Sequence, residues 1–332
     1  MKAFQLLNLK QPLELRELAE PQAAENQAVV RLQAAALNRR DYWITQGMYP
    51  GIVLPMTLGS DGVGLVEDWN ANASNPFADQ QVLVNPGWFW GNDEKAQSTD
   101  FQILGLPAPG TMAEKVVVPV EYLYPKPPHL SMEQGAALPL AGLTAYRALF
   151  VRGGLQPGEK VLITGIGGGV ATLALQFAVA AGAEVFVTSS QPQKIEQGIS
   201  LGAKQGWLYT EDNWQQQVIQ ELGGVDLIVD GAGGSGYAKL IDVVFPGGRI
   251  VNYGSTAGMP EKLDLFKVFW KQLNLLGSTM GSPQDFGEML QLVNRHQIVP
   301  VVDQAFPWSE ANQALDRMRH SEQFGKIVLV HP

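Results

Sequence analysis

The sequence predicts an α/β chain in which a β-rich region without long helices is joined to a doubly wound parallel sheet. Three observations predict it. Residues 161–164 (VLIT) form an apolar, mostly β-branched run that enters a glycine cluster, and beyond it, in GIGGGVATLALQ, the apolar positions recur at helical spacing. A second apolar run, 185–188 (VFVT), returns at the distance of a strand–helix–strand unit. From about residue 123 onward strand and helix patterns alternate, as parallel strands with right-handed crossovers require.

The elements follow in order. Residues 27–36 read as a strand, and TLGSDGVGLVE (57–67) packs three glycines into six residues, a sign of backbone lying close to other backbone. Residues 82–84 and 112–118 are further strands. Between 85 and 110 runs a polar and aromatic loop longer than a compact domain leaves unstructured, which marks it as functional or as an interface. Ser131 caps a helical run that Pro139 and Gly142 interrupt, with Thr144, Tyr146, Leu149 and Phe150 carrying the next helix. After the glycine unit come helices at 193–201, 214–222 and 238–244, alternating with strands at 207–209, 226–230 and 249–253. A strand at 273–278, amphipathic helices at 283–294 and 309–319, and a strand at 326–330 close the chain.

The glycine unit carries chemistry. Gly165 permits the turn, Gly168 and Gly169 let main chain approach a pyrophosphate, and the helix N-terminus offers free N–H groups at a positive dipole end. Gly167 and Val170 complete the segment. The expected ligand is a dinucleotide.

Composition narrows the partners. The 332 residues suit about two domains. A net charge of −9, with 17% charged and 45% hydrophobic residues, disfavours nucleic acid or an anionic membrane surface. The absence of cysteine excludes disulfides and thiolate metal sites. The first residues carry charges and lack a signal-peptide core, and no apolar run approaches the roughly 20 residues of a membrane span. The expectation is a cytoplasmic protein acting on a small molecule.

TLGSDGVGLVE, LPLAGLTAYRAL, GIGGGVATLALQ, VDLIVDGAGG, FPGGRIVNYG and FGKIVLV, in this order and spacing, resemble the medium-chain dehydrogenase/reductase superfamily, which holds zinc alcohol dehydrogenases and zinc-free quinone oxidoreductases. The resemblance spans nearly the whole chain. It implies a GroES-like catalytic domain from residues 1–122, completed by 265–332, and a Rossmann domain at 123–264, with the active site in the cleft between them. It also implies a homodimer or homotetramer.

The resemblance places Asn38, Ser60 and Leu140 where zinc alcohol dehydrogenases hold their catalytic metal, so no ligand set remains. Residues 86–110 stand where zinc enzymes carry a four-cysteine lobe, and hold Trp88, Phe89 and Trp90 instead. Asp41 and Asp61 form either a hard-metal pair or, as the more ordinary use of such acids, hydrogen bonds to backbone. No metal is expected, and no cation at the centre of the site.

NAD-selective folds place a carboxylate at the end of the second strand. This chain has Thr188, Ser189, Ser190 and Gln191 there. A carboxylate about 5 Å from a 2′-phosphate would cost roughly 3 kcal/mol at an effective dielectric near 20, whereas hydroxyls donate to it and Lys194 adds a cation. NADP(H) is therefore the expected cofactor, unless the serines merely cap a helix and Lys194 is solvated. Tyr209 resembles a position near that phosphate or is a core aromatic. Thr144 and Gly142 resemble a helix entrance under the nicotinamide. Gly254, Ser255, Ser278 and Thr279 follow later strands at their carboxyl ends. Lys326 resembles a residue near the cofactor or blunts a strand edge.

Without a Lewis acid, an already activated acceptor is the easier substrate. Hydride delivered to a quinone or an α,β-unsaturated carbonyl leaves charge on oxygen, which hydrogen-bond donors can stabilise. NRRDYWITQGMYP resembles the quinone-reductase segment in which an Asn and two Tyr face the nicotinamide. Asn38 and Tyr49 keep two of these, as oxyanion donor and proton donor, and Trp43 replaces the third. Asn38 holding a turn and Tyr49 simply packing are the ordinary alternatives. Tyr42 points elsewhere if the segment is extended. Trp43 with Trp88–Trp90 suggests an aromatic wall for a planar substrate, or Trp88–Trp90 a subunit contact. The alternatives to a quinone or enone reductase are a metal-free alcohol or aldehyde oxidoreductase and a nucleotide-binding protein without turnover.

Overall fold

Six strands, Lys160–Ile163, Glu184–Ser189, Gln205–Leu208, Val225–Asp230, Val244–Asn252 and Asn274–Gly277, form one parallel sheet in the computed structural model, which describes residues 1–331. Numbered within this sheet, their spatial order is 3-2-1-4-5-6. The order reverses beside Lys160–Ile163, where such sheets open a ligand crevice at the strands' carboxyl ends. The central strands carry apolar runs because both faces are covered: Val161, Leu162, Ile163, Val185, Val187, Leu227, Ile228 and Val229 have no exposed surface. Each such burial contributes about 1.5–3 kcal/mol.

This sheet belongs to a unit spanning Thr144–Met280, and a second unit comprises Met1–Leu143 with Gly281–Pro332. Both seams lie later than residues 122 and 264. Asn274–Gly277 pairs with Val244–Asn252, so the parallel sheet keeps the chain beyond 264. The run capped by Ser131 does break at Pro139, where helix Met132–Ala136 has ended and Pro139–Tyr146 begins, whereas Gly142 lies inside the second helix and interrupts nothing. Proline is compatible with a first helical turn, where its missing N–H has no partner to lose. That helix runs on into a π-helical turn, Arg147–Arg152.

The larger unit is built on a seven-stranded sheet ordered Leu123–Pro125, Gln81–Val84, Asp61–Asn70, Gln27–Ala36, Lys326–Val330, Val302–Pro307, with Lys115–Pro119 also paired to Gln27–Ala36. Two register shifts between Gln27–Ala36 and Asp61–Asn70 mark bulges that bend this pair. The glycines of TLGSDGVGLVE answer to close approach: a Cβ at Gly64 would stand 2.0 Å from the Arg31 carbonyl oxygen, and one at Gly62 2.8 Å from Leu32.

The segment after Asn38 is a helix, Arg39–Thr45, with Asn38 and Asp41 forming a capping box, so the extended condition attached to Tyr42 is not met. The 85–110 loop has its own packing. Trp88 and Trp90 are buried, Trp88 stacks on Tyr122 and Trp90 meets Phe101 edge-on. Their indole N–H groups donate to the Asn85 and Asp93 carbonyls. Neither indole is available as an open wall, and of the three only Phe89 is exposed.

Candidate active site

In the smaller unit, strand Lys160–Ile163 delivers the chain to Gly165, at φ +64°, and Gly167, at φ +136°, conformations that L side chains rarely adopt. Helix Gly169–Ala180 then starts from Gly168, which offers no side-chain cap, leaving first-turn amides such as those of Gly169 and Val170 without intrahelical acceptors. A Cβ at Gly165 or Gly168 would meet nothing within 4 Å, so the glycines leave open space above these donors. That arrangement fits a pyrophosphate.

The neighbouring strand ends frame this turn. Asp230, buried at the end of its strand, accepts from Thr164 Oγ1 at 2.6 Å, Asn252 Nδ2 at 2.9 Å and the backbone amides of Ala232 and Gly233. Gly254 and Ser255 follow Val244–Asn252, and Ser278 and Thr279 follow Asn274–Gly277. Ser278 Oγ is buried without a partner. Thr144 is buried, with Oγ1 3.9 Å from Met280 Sδ. Ser189 is buried and its Oγ accepts the Gln191 N–H at 3.2 Å, while Ser190 is exposed and Lys194 lies in the first turn of Pro192–Ser200. Tyr209 is 46% exposed beside Ser189, which removes the core-aromatic alternative.

In the larger unit the sequence-predicted Asn38 sits in a buried polar cluster. Its Nδ2 donates to Asp61 Oδ2 at 2.9 Å, and its Oδ1 accepts from Lys326 Nζ at 2.6 Å. Lys326 Nζ also pairs with Asp61 Oδ2 at 2.7 Å, and the Leu140 N–H reaches Asp61 Oδ1 at 2.8 Å. Pairing of Lys326–Val330 with Gln27–Ala36 brings these distant residues together. Lys326 is 4% exposed, so it guards no solvent-facing strand edge. Asp41 uses its carboxylate on the backbone amides of Asn38 and Gly59, and burial pushes that carboxyl above its ordinary range against the pull of Arg40. Arg40 Nη1 contacts Ser60 Oγ at 2.6 Å and the Leu104 carbonyl at 2.8 Å, and its guanidinium lies 5.2 Å from the Tyr49 ring centre. Trp43 packs against Tyr42, 5.2 Å between ring centres.

The buried groups of this unit include two organic cations, Lys326 and Arg40, which the sequence reading, concerned with metal cations and dipoles, did not anticipate. At the positions that resemble zinc ligands, Asn38 presents an amide already held by Lys326, Ser60 a hydroxyl held by Arg40, and Leu140 an alkyl group. This donor set does not fit zinc, which takes thiolate, imidazole or carboxylate. Among the described residues no group of three or more His, Asp or Glu could hold a metal ion. Asp41 and Asp61 hydrogen-bond backbone, as paired acids ordinarily do.

Arg40 and Asp230 belong to the buried polar groups of the candidate site and were missed by sequence reading. Asp230 carried a signal, the acid ending VDLIVDGAGG. Arg40 carried none, since nothing in NRRDY marks that arginine as buried.

Comparisons with known proteins give the family. The family model for the alcohol dehydrogenase GroES-like domain matches residues 24–128, and that for zinc-binding dehydrogenases matches 169–295. A zinc-type alcohol dehydrogenase-like protein of Leptosphaeria maculans is 34% identical over 96% of this chain and 94% of its own. A solved NAD-dependent alcohol dehydrogenase shares 35% identity over 99% of both chains, with a TM-score of 0.93. The quinone oxidoreductase of Thermus thermophilus, solved also with NADPH, shares 29% over 99% of this chain and all of that one, with a TM-score of 0.83.

Proposed function

This chain belongs to the medium-chain dehydrogenase/reductase superfamily, and on that premise we propose that it is a zinc-independent, NADPH-dependent oxidoreductase that delivers hydride to a quinone or an α,β-unsaturated carbonyl. The observation that carries this reading is the capture of Asn38 and Ser60 by Lys326 and Arg40, which puts fixed organic cations where relatives with zinc need ligands. Oxidation of a simple alcohol gains little from such a site, whereas an activated acceptor needs only stabilisation of the charge that appears on oxygen.

The dinucleotide, when bound, supplies the hydride. Gly165, Gly167 and Gly168 make room for its pyrophosphate, and the Gly169 and Val170 amides donate to it. Ser189, Ser190 and Lys194 meet a 2′-phosphate, with Tyr209 beside them, and Thr144, Gly254, Ser255, Ser278 and Thr279 border the nicotinamide half. Lys326 and Asp61 lock the Asn38 amide in one orientation, so that its second N–H is free to donate to the acceptor oxygen. Tyr49 supplies a proton or orients the substrate, and Trp43 contributes an apolar surface. Lys326 acts through Asn38 rather than on the cofactor.

Similarity to an NAD-dependent alcohol dehydrogenase favours a second reading, a metal-free alcohol or aldehyde oxidoreductase. Exposed Leu265, Phe266, Phe269 and Trp270, close in sequence to the edge strand Asn274–Gly277, support a homodimer or homotetramer. Among the described residues no helix is long and apolar enough to cross a membrane; a cytoplasmic location stays part of the proposal.

The test is a panel of quinones, enones and aldehydes with NADPH and NADH, and of alcohols with the oxidised forms, on chelator-dialysed protein. Oxidation of NADPH by quinones or enones is expected. Turnover confined to alcohols, or restored only by added zinc, overturns the reading.

A further inference from the structure

Arg40 is a buried cation with unspent donors. It is 8% exposed, and both of its hydrogen bonds leave from Nη1, to a hydroxyl and a carbonyl. Its Nε is buried without a partner. The carboxylate it acts on electrostatically, Asp41, is committed to two backbone amides. A guanidinium taken out of water without a carboxylate bonded to it is costly, and such a cost is offset where a ligand brings the anion. Nε and Nη2 together form the two-donor side edge of the guanidinium, the edge that grips an oxyanion in fork geometry. Nη1, anchored to Ser60 and Leu104, fixes the plane of that fork, and the Tyr49 ring packs against it.

We propose that the Nε/Nη2 edge of Arg40 is an oxyanion-binding site for the substrate. The oxyanion has two sources: the enolate or phenolate oxygen formed when hydride arrives, or a carboxylate that the substrate carries. This deepens the reductase reading and rests on it for the identity of the acceptor, though the anion site itself does not require turnover.

The experiment compares wild type, Arg40→Lys and Arg40→Met in the presence of NADP⁺. Binding of benzoate is followed by calorimetry, and the ionisation of bound 4-nitrophenol by its absorbance. Wild type is expected to bind both anions and to lower the phenol's pKa. Arg40→Met loses at least tenfold in affinity and the pKa shift, and Arg40→Lys, which keeps the charge without the fork, falls between. Turnover of a neutral enone and of one bearing a carboxylate separates the sources. A fall in kcat on both assigns the edge to the nascent oxyanion, whereas a rise in KM confined to the carboxylate substrate assigns it to a substrate carboxylate. Folded variants that bind both anions and turn over like wild type overturn the proposal. If Arg40→Met fails to fold, an unchanged Arg40→Lys does the same. Arg40-dependent anion binding in a wild type inactive on every acceptor would sink the reductase reading and leave the anion site standing.

Discussion

In the smaller unit the candidate site is built from main-chain amides uncovered by glycines at 165, 167 and 168; in the larger unit it is built around side-chain charges, Arg40 and Lys326, sunk below the surface. The first design needs one short stretch of chain and little electrostatic compensation, because a helix terminus already carries its partial charge. The second needs residues from three distant stretches and carboxylates to balance them. A backbone site is therefore tolerant of its neighbours, whereas a buried-charge site fails when one member is removed.

That contrast can be broken most directly at Lys326. Lys326→Met leaves Asp61 buried and uncompensated, with an expected loss of about 3–5 kcal/mol in denaturant unfolding. Pairing it with Asp61→Leu should recover much of the loss, and equal stability of the single and double variants would show that the pair is not coupled. His331 gives the next largest effect. Burial lowers its pKa to about 4, against Trp308 and with Nε2 unpartnered. A folded pKa below the unfolded value near 6.5 means that this stability is whole above pH 6.5 and drains as pH falls toward 4, by up to about 3 kcal/mol. His331→Phe should flatten that part of a stability–pH curve.

In the smaller unit the effects should fall mainly on binding, with a smaller loss of stability, about 1–3 kcal/mol, where a substitution strains a left-handed glycine position. Gly165→Val puts a branched side chain into the open space at φ +64° and should weaken dinucleotide affinity by about a hundredfold, on the order of 3 kcal/mol. Nucleotide fluorescence titration reads this, and an unfolding transition shifted as far as that of Lys326→Met would erase the distinction between the units. Ser190→Asp is the smallest change. At this exposed position screening holds the cost of a carboxylate near a 2′-phosphate to roughly 1 kcal/mol, visible as a several-fold drop in NADPH over NADH preference, and an unchanged ratio would contradict the phosphate assignment.

The same contrast governs what could be read from residues alone. Strand, glycine turn and helix are contiguous, so periodicity and punctuation placed them nearly to the residue, and helix Trp214–Leu222 and strand Lys326–Val330 fall where the pattern put them. Asn38 was marked by its motif, but its partner Lys326 lies 288 positions away, and no local pattern announces that pairing. Arg40 was invisible because burial is a tertiary property. Trp88 and Trp90 misled for the converse reason: aromatics in a long loop suggest a surface, and here Trp90 packs on Phe101 within the loop while Trp88 joins Tyr122 in the core of the sheet.

The closing strand Lys326–Val330 has a consequence for biosynthesis. Residues 144–280 form a contiguous unit whose strands all precede position 281, so it can complete its sheet while translation continues. The Asn38 amide, by contrast, waits for an ammonium that leaves the ribosome nearly three hundred residues later. Until then Asp61 lacks its countercharge, and a nascent chain stalled before Lys326 would hold a finished parallel sheet and an uncompensated buried carboxylate.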